Sequence, residues 1–236
     1  MAEIAGDQQV QSEVLEGLAT AVNHRRWFVE LATPYLGDDP IEIGSGLGDY
    51  AIEWAAHAPR FTATEADPER LVRLKERLNE HPGVSVRELL LPCEDRGQHS
   101  AAVSYNVLEH IDDHVGALRS ISRLVRPGGA VVLIVPAFMF AMSPVDIATG
   151  HVRRYTKKTM RAALEDAGLR VERLHYANAL GLIGYYAATS VFKLTPKEGS
   201  MVKIYDRFVL PATKAAESVV KPPFGQSVFA VARVPA

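Results

Sequence analysis

The sequence predicts an α/β protein built on a mostly parallel sheet, and three observations lead to this fold class. Strand-like apolar runs alternate with helical patterns along the chain, which is the signature of βαβ units. The apolar run at 41–43 passes into a turn with Gly44, Gly46 and Gly48, as where a buried strand turns sharply into a helix. The run at 130–136 is apolar throughout, which is typical of a central strand covered on both faces.

Each element follows from its local pattern. Pro68 suits the first turn of the helix after the second strand, and Pro127-Gly128-Gly129 is expected to end the helix before the fifth strand. The predicted strands are 40–44, 61–66, 84–89, 101–106, 130–136, 169–176 and 226–234. The predicted helices lie at 12–36, 48–57, 68–80 and 157–167, with further helices between about 178 and 222. The helix after the fourth strand carries Leu118, Ile121 and Leu124 at helical spacing.

Composition limits the functional classes. The chain has 236 residues, 47% of them apolar and 23% charged, as expected for one globular domain. The net charge of −2 gives no electrostatic reason to expect a nucleic-acid partner. Cys93 is the only cysteine, so an intrachain disulfide and CxxC-type sites are excluded. The acidic, polar N-terminus does not resemble a signal peptide, and we expect a cytoplasmic enzyme.

One uncharged segment needs a separate interpretation. Residues 174–192 contain no Asp, Glu, Lys or Arg. Their length approaches that of a membrane span, but His, Asn, Gly, Tyr, Thr and Ser residues dilute their hydrophobicity. We therefore expect no stable membrane span here. A buried lid helix or a subunit contact is favoured, and an interfacial helix near a lipid substrate stays open.

The glycine spacing distinguishes between nucleotide ligands. The turn reads E-x-G-x-G-x-G, and the sixth position of a dinucleotide fingerprint would fall on Asp49, which is not small. Glu42, two residues before Gly44, would repel a pyrophosphate but suits a ligand with a cationic amino group. S-adenosylmethionine (AdoMet) carries an ammonium and a sulfonium. A tight structural turn is the alternative.

Glu65 is the second candidate ligand-binding acid. It closes the second predicted strand, twenty-one residues after Gly44. A carboxylate there can accept hydrogen bonds from both ribose hydroxyls of a nucleotide-like ligand. A solvated strand-end acid is the alternative, and a nicotinamide oxidoreductase would share this feature. The glycine spacing argues against the oxidoreductase.

Five motifs together resemble a known family. EIGSGLGDY, TEADPERL, NVLEHIDD, LVRPGGAVVLIVPA and GHVRRYT are similar in order and spacing to a class I AdoMet-dependent methyltransferase, over about residues 20–176. The closing PPFGQSVFAVARV resembles its final strand. The resemblance is closest to bacterial small-molecule methyltransferases. It implies a Rossmann-like, seven-stranded sheet with an antiparallel last strand, in one domain with an inserted helical lid. The predicted parts are N-terminal helices at 1–37, the AdoMet-binding core at 38–176, the helical insertion at 177–222 and the last strand at 223–236.

The resemblance also implies the cofactor contacts. Glu42 would lie near the amino group of AdoMet, Glu65 would hold the ribose, and Ala66 would lie beside the adenine. The methionine end and the far wall near the sulfonium would be lined by Gly44, Ser45, Gly46, Asn106, Val107 and Leu108.

The chain departs from the family pattern at two places. Leu90 and Leu91 stand where an acid often contacts the adenine amine, so Cys93 or Glu94 could contribute instead. Ser100 stands where strand four often begins with an acid, at a position that is usually structural.

His110, Asp112, Asp113 and His114 raise the question of a metal site. Two histidines are separated by four residues, but Asp112 or Asp113 is expected to cap the following helix. We expect no metal there. His110 near AdoMet or the substrate is a separate hypothesis.

The segment 150–156 carries the candidate catalytic groups. Methyl transfer is an in-line displacement whose leaving group is a neutral thioether, so the protein must align the reactants and remove a proton from the nucleophile. His151 is the candidate base or orienting group, and Asp146 is a second candidate base. Arg153 or Arg154 would bind an anionic substrate group, and Tyr155 would shape the pocket. A basic loop that only pairs with nearby acids is the alternative.

The predicted reaction is methyl transfer from AdoMet to oxygen, and second to nitrogen, of a small molecule such as a natural-product or glycan/lipid intermediate. Trp27 lies in entry helices that resemble those closing over the cofactor in the family, although a structural role fits equally. The aromatic residues of the insertion could wall an apolar pocket or form a homodimer contact, and peripheral membrane contact is open. The rival function is an AdoMet-fold protein without methyl transfer, either a binding subunit or a catalyst of another rearrangement.

Overall fold

The computed structural model describes residues 6–187 and 199–236. Its centre is a seven-stranded sheet, and each strand lies within one or two residues of a sequence-predicted strand except at the start of the fifth. The strands are β1 (Ile41–Ile43), β2 (Phe61–Glu65), β3 (Val84–Glu88), β4 (His99–Tyr105), β5 (Val125–Pro136), β6 (Arg170–Ala177) and β7 (Ser227–Arg233).

The strand order is β3-β2-β1-β4-β5-β7-β6. The five strands from β3 to β5 are parallel, and β7 runs antiparallel to both of its neighbours. The predicted Rossmann-like fold class, including the antiparallel last strand, is confirmed. The chain changes direction across the sheet between β1 and β4, and ligands in such sheets bind at the carboxyl ends of the strands beside this switch point.

Helices cover both faces of the sheet. The N-terminal helices are α1 (Gln8–Leu18) and α2 (Val22–Ala32). The helices between strands are α3 (Asp49–Ala55), α4 (Pro68–Leu78), α5 (His114–Leu124), α6 (Pro144–Ala148) and α7 (Lys157–Asp166). The insertion before β7 holds α8 (Ala179–Tyr186), α9 (Gly199–Ile204), a π-helical turn (Tyr205–Val209) and α10 (Leu210–Val219).

The alternation of side chains along β5 explains the two-sided core. Val131, Leu133 and Val135 pack on one face with α5 and α7, while Val132 and Ile134 pack on the other with α2, α3 and α4. All five are 0–1% exposed. Successive side chains of a strand point to opposite faces, so an unbroken apolar run is what a doubly covered strand requires.

The boundary between α5 and β5 differs from the prediction. The helix ends at Leu124 and the chain is already extended at Val125, so residues 127–129 belong to the strand. The prediction of a separate turn there was wrong. Gly128 takes a φ of +78°, and an irregular register beside His99 accommodates the extra residues against β4.

The uncharged segment divides between two elements. Its first residues finish β6, and α8 follows after Asn178. Within the described residues, no helix is both long and apolar enough to cross a bilayer. The rest of the segment, including Phe192, lies outside the described residues, as does the side chain of Met201.

Candidate active site

The backbone of the turn after β1 strongly favours glycine. Gly44, Gly46 and Gly48 have φ values of +71°, +56° and +85°, in the left-handed region that L side chains rarely adopt. A Cβ on Gly44 would lie 2.5 Å from Cγ2 of Val107. The amide of Ser45 donates to the carbonyl of Thr64 at 2.7 Å, which ties the turn to β2. The backbone therefore forms a tight cradle at the switch point.

Glu42 is a buried acid behind this cradle. Glu42 is 3% exposed, and its Oε2 has no hydrogen-bond partner among the described residues. Burial raises the pKa of Glu42 to about 8, with smaller contributions from the charges of Glu65 and Asp49, while a hydrogen bond with Ser45 acts in the opposite direction. An incoming cation would stabilise the ionised carboxylate, which fits the amino group of AdoMet.

Glu65 joins the glycine turn to the end of β2. Its carboxylate accepts hydrogen bonds from the amides of Gly46 at 2.8 Å, Ala66 at 3.0 Å and Asp67 at 2.9 Å. The guanidinium of Arg70 lies 3.2 Å from the same group. Glu65 and Ala66 are thus at the predicted cofactor edge. Contact with a ribose remains a prediction, and Arg70 is a neighbour that the sequence did not indicate.

The far wall comes from the turn after β4. Asn106 is exposed and takes a φ of +53°, and its amide donates to the carbonyl of Ile134 at 2.8 Å. Val107 faces Gly44. Leu108 is 1% exposed and packs in the core. The structure therefore brings Asn106 and Val107 to the cradle, while the side chain of Leu108 packs in the core.

Helix α1 lies across the glycine turn. The sequence did not predict this position of α1. Leu15 is the nearest side chain to Gly46, because a Cβ there would lie 3.1 Å from its Cδ1. Gln11 donates to the carbonyl of Thr149 at 2.7 Å, and Glu16 pairs with Arg73 of α4 at 2.8 Å. The helix is thus anchored on both sides of the cradle and covers it.

Asp146 organises the candidate catalytic loop. Its Oδ1 lies 2.7 Å from Nδ1 of His151 and 2.7 Å from the guanidinium of Arg154. Its Oδ2 accepts from the amide of Ser143 at 2.7 Å and from the hydroxyl of Tyr185 at 2.8 Å. Burial alone would raise the pKa of Asp146, but His151, Arg154 and Ser143 together hold it well below its usual range. Asp146 is therefore a permanent anion that orients His151.

The remaining residues of the 150–156 segment contact the protein itself. Arg153 donates to the carbonyls of Ile111 and Asp112. Arg154 is buried against Asp146, and it also donates to the carbonyl of Ala137 at 3.1 Å. Tyr155 is 1% exposed and its hydroxyl lies 2.9 Å from Nδ1 of His114. These contacts fit the alternative in which the segment is braced structurally. Substrate binding by the arginines and catalysis by Tyr155 remain predictions.

The turn after β4 places Glu109 and His110 directly against His151. Glu109 is completely buried, and neither carboxylate oxygen has a hydrogen-bond partner among the described residues. The Nε2 atom of His151 stands 3.9 Å from its Oε1, and the rings of His110 and His151 are 4.6 Å apart and nearly perpendicular. Burial raises the pKa of Glu109 to about 7 and lowers that of His110 to about 4. The sequence indicated His110 but not Glu109.

The acids after His110 cap a helix, as the sequence predicted. The carboxylate of Asp113 accepts from the amide of Gly116 at 2.8 Å at the start of α5. His114 contacts Tyr155 and not His110. The two histidines at a spacing of four therefore do not converge on one ligand.

Several other candidates take structural positions. Trp27 is 6% exposed and packs with Phe28 in the core. The hydroxyl of Ser100 accepts from the amide of Asp39 at 2.8 Å, which fits the structural role expected there. The amide of Cys93 donates to Ser120 at 3.0 Å, and the carboxylate of Glu94 is 96% exposed. These contacts do not identify which residue would meet the adenine amine.

The fold and the site define an α/β protein with a glycine cradle, a buried acid behind it and an Asp–His pair on the adjoining loop. Residues 41–131 match the family model described as a methyltransferase domain. An uncharacterised methyltransferase of Mycobacterium leprae is 26% identical over 151 residues, which cover 60% of this chain and 56% of the relative. The ubiquinone/menaquinone biosynthesis C-methyltransferase of Rubrivivax gelatinosus is 30% identical over 110 residues, covering 45% and 43%.

A solved structure agrees in fold along nearly the whole chain. It is the complex between the Haloferax volcanii Trm112 methyltransferase activator and its methyltransferase, with a TM-score of 0.63, 16% identity and coverage of 98% of this chain and 95% of that one. These matches support a class I AdoMet-dependent methyltransferase domain over residues 41–131, as the sequence motifs predicted. The solved structure agrees in fold. The chain spans about half the length of these two curated relatives.

Proposed function

We propose that this protein transfers the methyl group of AdoMet to a hydroxyl oxygen of a small acceptor. The observation that carries the proposal is the buried carboxylate of Glu42 behind a glycine cradle at the switch point, because its Oε2 has no hydrogen-bond partner among the described residues. Such a carboxylate attracts the cationic end of AdoMet and would repel a pyrophosphate, which separates this site from a nicotinamide site. The cofactor supplies an electrophilic methyl group and leaves as a neutral thioether.

The residues on the two sides of the cradle have different tasks. Glu42 would hold the amino group, and the exposed backbone of the glycine turn allows close approach of the methionine end. Glu65 is the group in place to hold the ribose, since its carboxylate accepts a hydrogen bond from the amide of Gly46 on that turn. These contacts fix the position of the methyl group relative to the acceptor, which is the main requirement of an in-line displacement.

His151 would serve the acceptor. The amide of Val152 donates to the carbonyl of Glu109 at 3.0 Å, so the loop of His151 adjoins the turn whose Val107 faces Gly44. Asp146 orients the imidazole ring of His151 through Nδ1. This leaves Nε2 of His151 to meet an acceptor hydroxyl and to take or share its proton. This arrangement supports a hydroxyl acceptor, because an oxygen nucleophile gains most from losing its proton.

An apolar surface beside this loop suggests the character of the acceptor. The side chains of Met139, Phe140, Ile147 and Ile183 are 54–68% exposed, although each is large and apolar. Phe140 lies 5.6 Å from the ring of Tyr186, so α8 and the turn after β5 form one surface. Large exposed apolar patches commonly mark binding sites. We infer an acceptor with an apolar body and one reactive hydroxyl.

The test is formation of S-adenosylhomocysteine over time from AdoMet and matched acceptors. Each set would hold one apolar skeleton and vary only the reactive group among hydroxyl, amine and activated carbon. Time-dependent product with the hydroxyl member, and a mass gain of one methyl group, is the expected result.

The other outcomes each revise the proposal in a defined way. Product with the amine member alone would move the acceptor atom to nitrogen. Conversion of an acceptor without S-adenosylhomocysteine would replace methyl transfer by another rearrangement on the same fold. The His151→Ala variant serves as a control that keeps the cradle and should still bind AdoMet.

A further inference from the structure

A partly buried cluster of side chains beside the loop of His151 has the composition of a metal site. Glu109, His110 and His151 each offer one ligand atom, and these atoms all lie within 4.8 Å of one another. We propose that these three residues bind a divalent transition-metal ion, of which Zn²⁺ is the representative probe. The site shares only His110 with the set His110, Asp112, Asp113 and His114, in which Asp113 caps α5. It revises the expectation of no metal and does not depend on the identity of the acceptor.

The donor set and its spacing fit such an ion. Two imidazole nitrogens and one carboxylate oxygen form the His₂Glu set of many catalytic zinc sites, in which a fourth position stays open. Metal–ligand distances of about 2.0–2.2 Å place tetrahedral ligand atoms roughly 3.3–3.6 Å apart. The separation of 3.9 Å between Nε2 of His151 and Oε1 of Glu109 is already close to this value. Small side-chain movements would therefore complete the site.

The burial of Glu109 is the second, independent observation. A fully buried carboxyl group without a hydrogen-bond partner is costly in a folded protein. His110 also keeps its Nδ1 atom without a partner. A divalent ion would satisfy both groups at once.

A second layer of contacts holds the proposed ligands. Asp146 lies 2.7 Å from Nδ1 of His151, which directs the opposite nitrogen, Nε2, toward Glu109. Carboxylate–histidine–metal arrangements of this kind fix the ring orientation and increase the basicity of the ligand. Arg154 and Tyr185 in turn fix Asp146. The structure thus contains both the ligands and their supports.

A metal at this position would change the role of His151. With the ion bound, His151 acts as a ligand, and the Lewis acid lowers the pKa of an acceptor hydroxyl directed to the open position. The hydroxyl proton passes to solvent, the oxygen forms the new bond to the methyl carbon, and the carbon–sulfur bond breaks. Without the ion, the imidazole accepts the proton itself.

The experiment measures metal binding without any acceptor. The full chain carrying Cys93→Ser, which removes the only thiol, is stripped with a chelator and titrated with Zn²⁺ against a chromophoric competitor. We expect one equivalent to bind, and Co²⁺ to give the visible spectrum of a tetrahedral site. Glu109→Gln and His151→Ala should each weaken Zn²⁺ by more than about 100-fold, and Asp146→Asn by about 10–100-fold. His57→Ala, on an exposed helix end, should bind as before.

The contrary outcomes are equally clear. Less than stoichiometric Zn²⁺, or binding unaffected by Glu109→Gln, would overturn the site. Glu109→Gln keeps the side-chain volume and removes a buried charge, so it should melt no lower than the parent at pH 8. It therefore remains informative if His151→Ala fails to fold. Loss of Zn²⁺ binding in Glu109→Gln with intact AdoMet binding would support the metal site. Failure of the parent to bind AdoMet would count against the proposed function and not against the metal site.

Discussion

Gly44→Ala should weaken AdoMet binding by at least about 100-fold, or ~2.7 kcal/mol. The new Cβ would lie 2.5 Å from Cγ2 of Val107, so either the cradle or the far wall must move. The φ of +71° adds a backbone cost of about 1–2 kcal/mol for a residue with a side chain. Calorimetric titration with AdoMet and the free energy of unfolding measure the two effects separately.

Gly168→Ala is the matched control for this substitution. Gly168 also has a positive φ, of +81°, but a Cβ there would meet nothing within 4 Å. It should lower the free energy of unfolding by about 1–2 kcal/mol and leave AdoMet affinity unchanged. The double variant Gly44→Ala/Val107→Ala removes the clash and should recover much of the affinity. Equal affinity in Gly44→Ala and the parent would show that the turn does not hold the ligand.

Asp146→Asn should reduce kcat by about 10²–10⁴-fold while the KM for AdoMet changes little. The carboxylate orients His151 and balances its charge, and it lies outside the glycine cradle. An amide cannot accept all five of the hydrogen bonds and ion pairs that Asp146 receives. Steady-state kinetics over pH 5–9 give both readouts.

Asp206→Asn separates this effect from a general loss of stability. Asp206 is also buried, at 6% exposure, and accepts from the amides of Asn23 and His24 at 3.0 and 2.8 Å. Its replacement should lower the melting temperature without changing kcat or its pH profile. If Asp146→Asn behaves in the same way, Asp146 is only structural and the catalytic account of the loop is wrong.

The fold was predictable because its signals are local. Most of the parallel strands contain apolar residues in a short run with a turn or cap after it, and the unbroken run of β5 is typical of a doubly covered strand. The cradle was predictable for the same reason, since three positive φ values favour glycine at 44, 46 and 48. The prediction for the end of α5 was wrong because the Pro-Gly-Gly pattern is compatible with either a turn or an irregular strand start. In the fold, pairing with β4 and β7 makes this segment part of β5.

The residues around His151 were only partly predictable, because their roles depend on which side chains the fold buries together. His151 and Asp146 were indicated by their chemistry, but their contact at 2.7 Å results from the fold of the α6 loop. Glu109 gave no local signal of its burial, since an acid in the turn after a strand usually reaches solvent. The position of α1 over the cradle depends on contacts with Thr149 and Arg73, more than fifty residues away in sequence.

The measurement that tests the central claim most directly is a calorimetric titration of AdoMet at pH 6, 7 and 8, with NADH as control. Glu42 in the free protein has a pKa of about 8, so at lower pH binding must first expel its proton. Affinity should therefore rise with pH by up to about tenfold per unit below 8, with proton release seen as a buffer-dependent heat.

Glu42→Gln should bind more weakly at pH 8 and lose this pH dependence, and NADH should not bind to either protein. Binding of AdoMet that is equally strong in Glu42→Gln and the parent at every pH would contradict the account. So would the absence of any AdoMet binding, because the cradle and its buried acid would then have only a structural role.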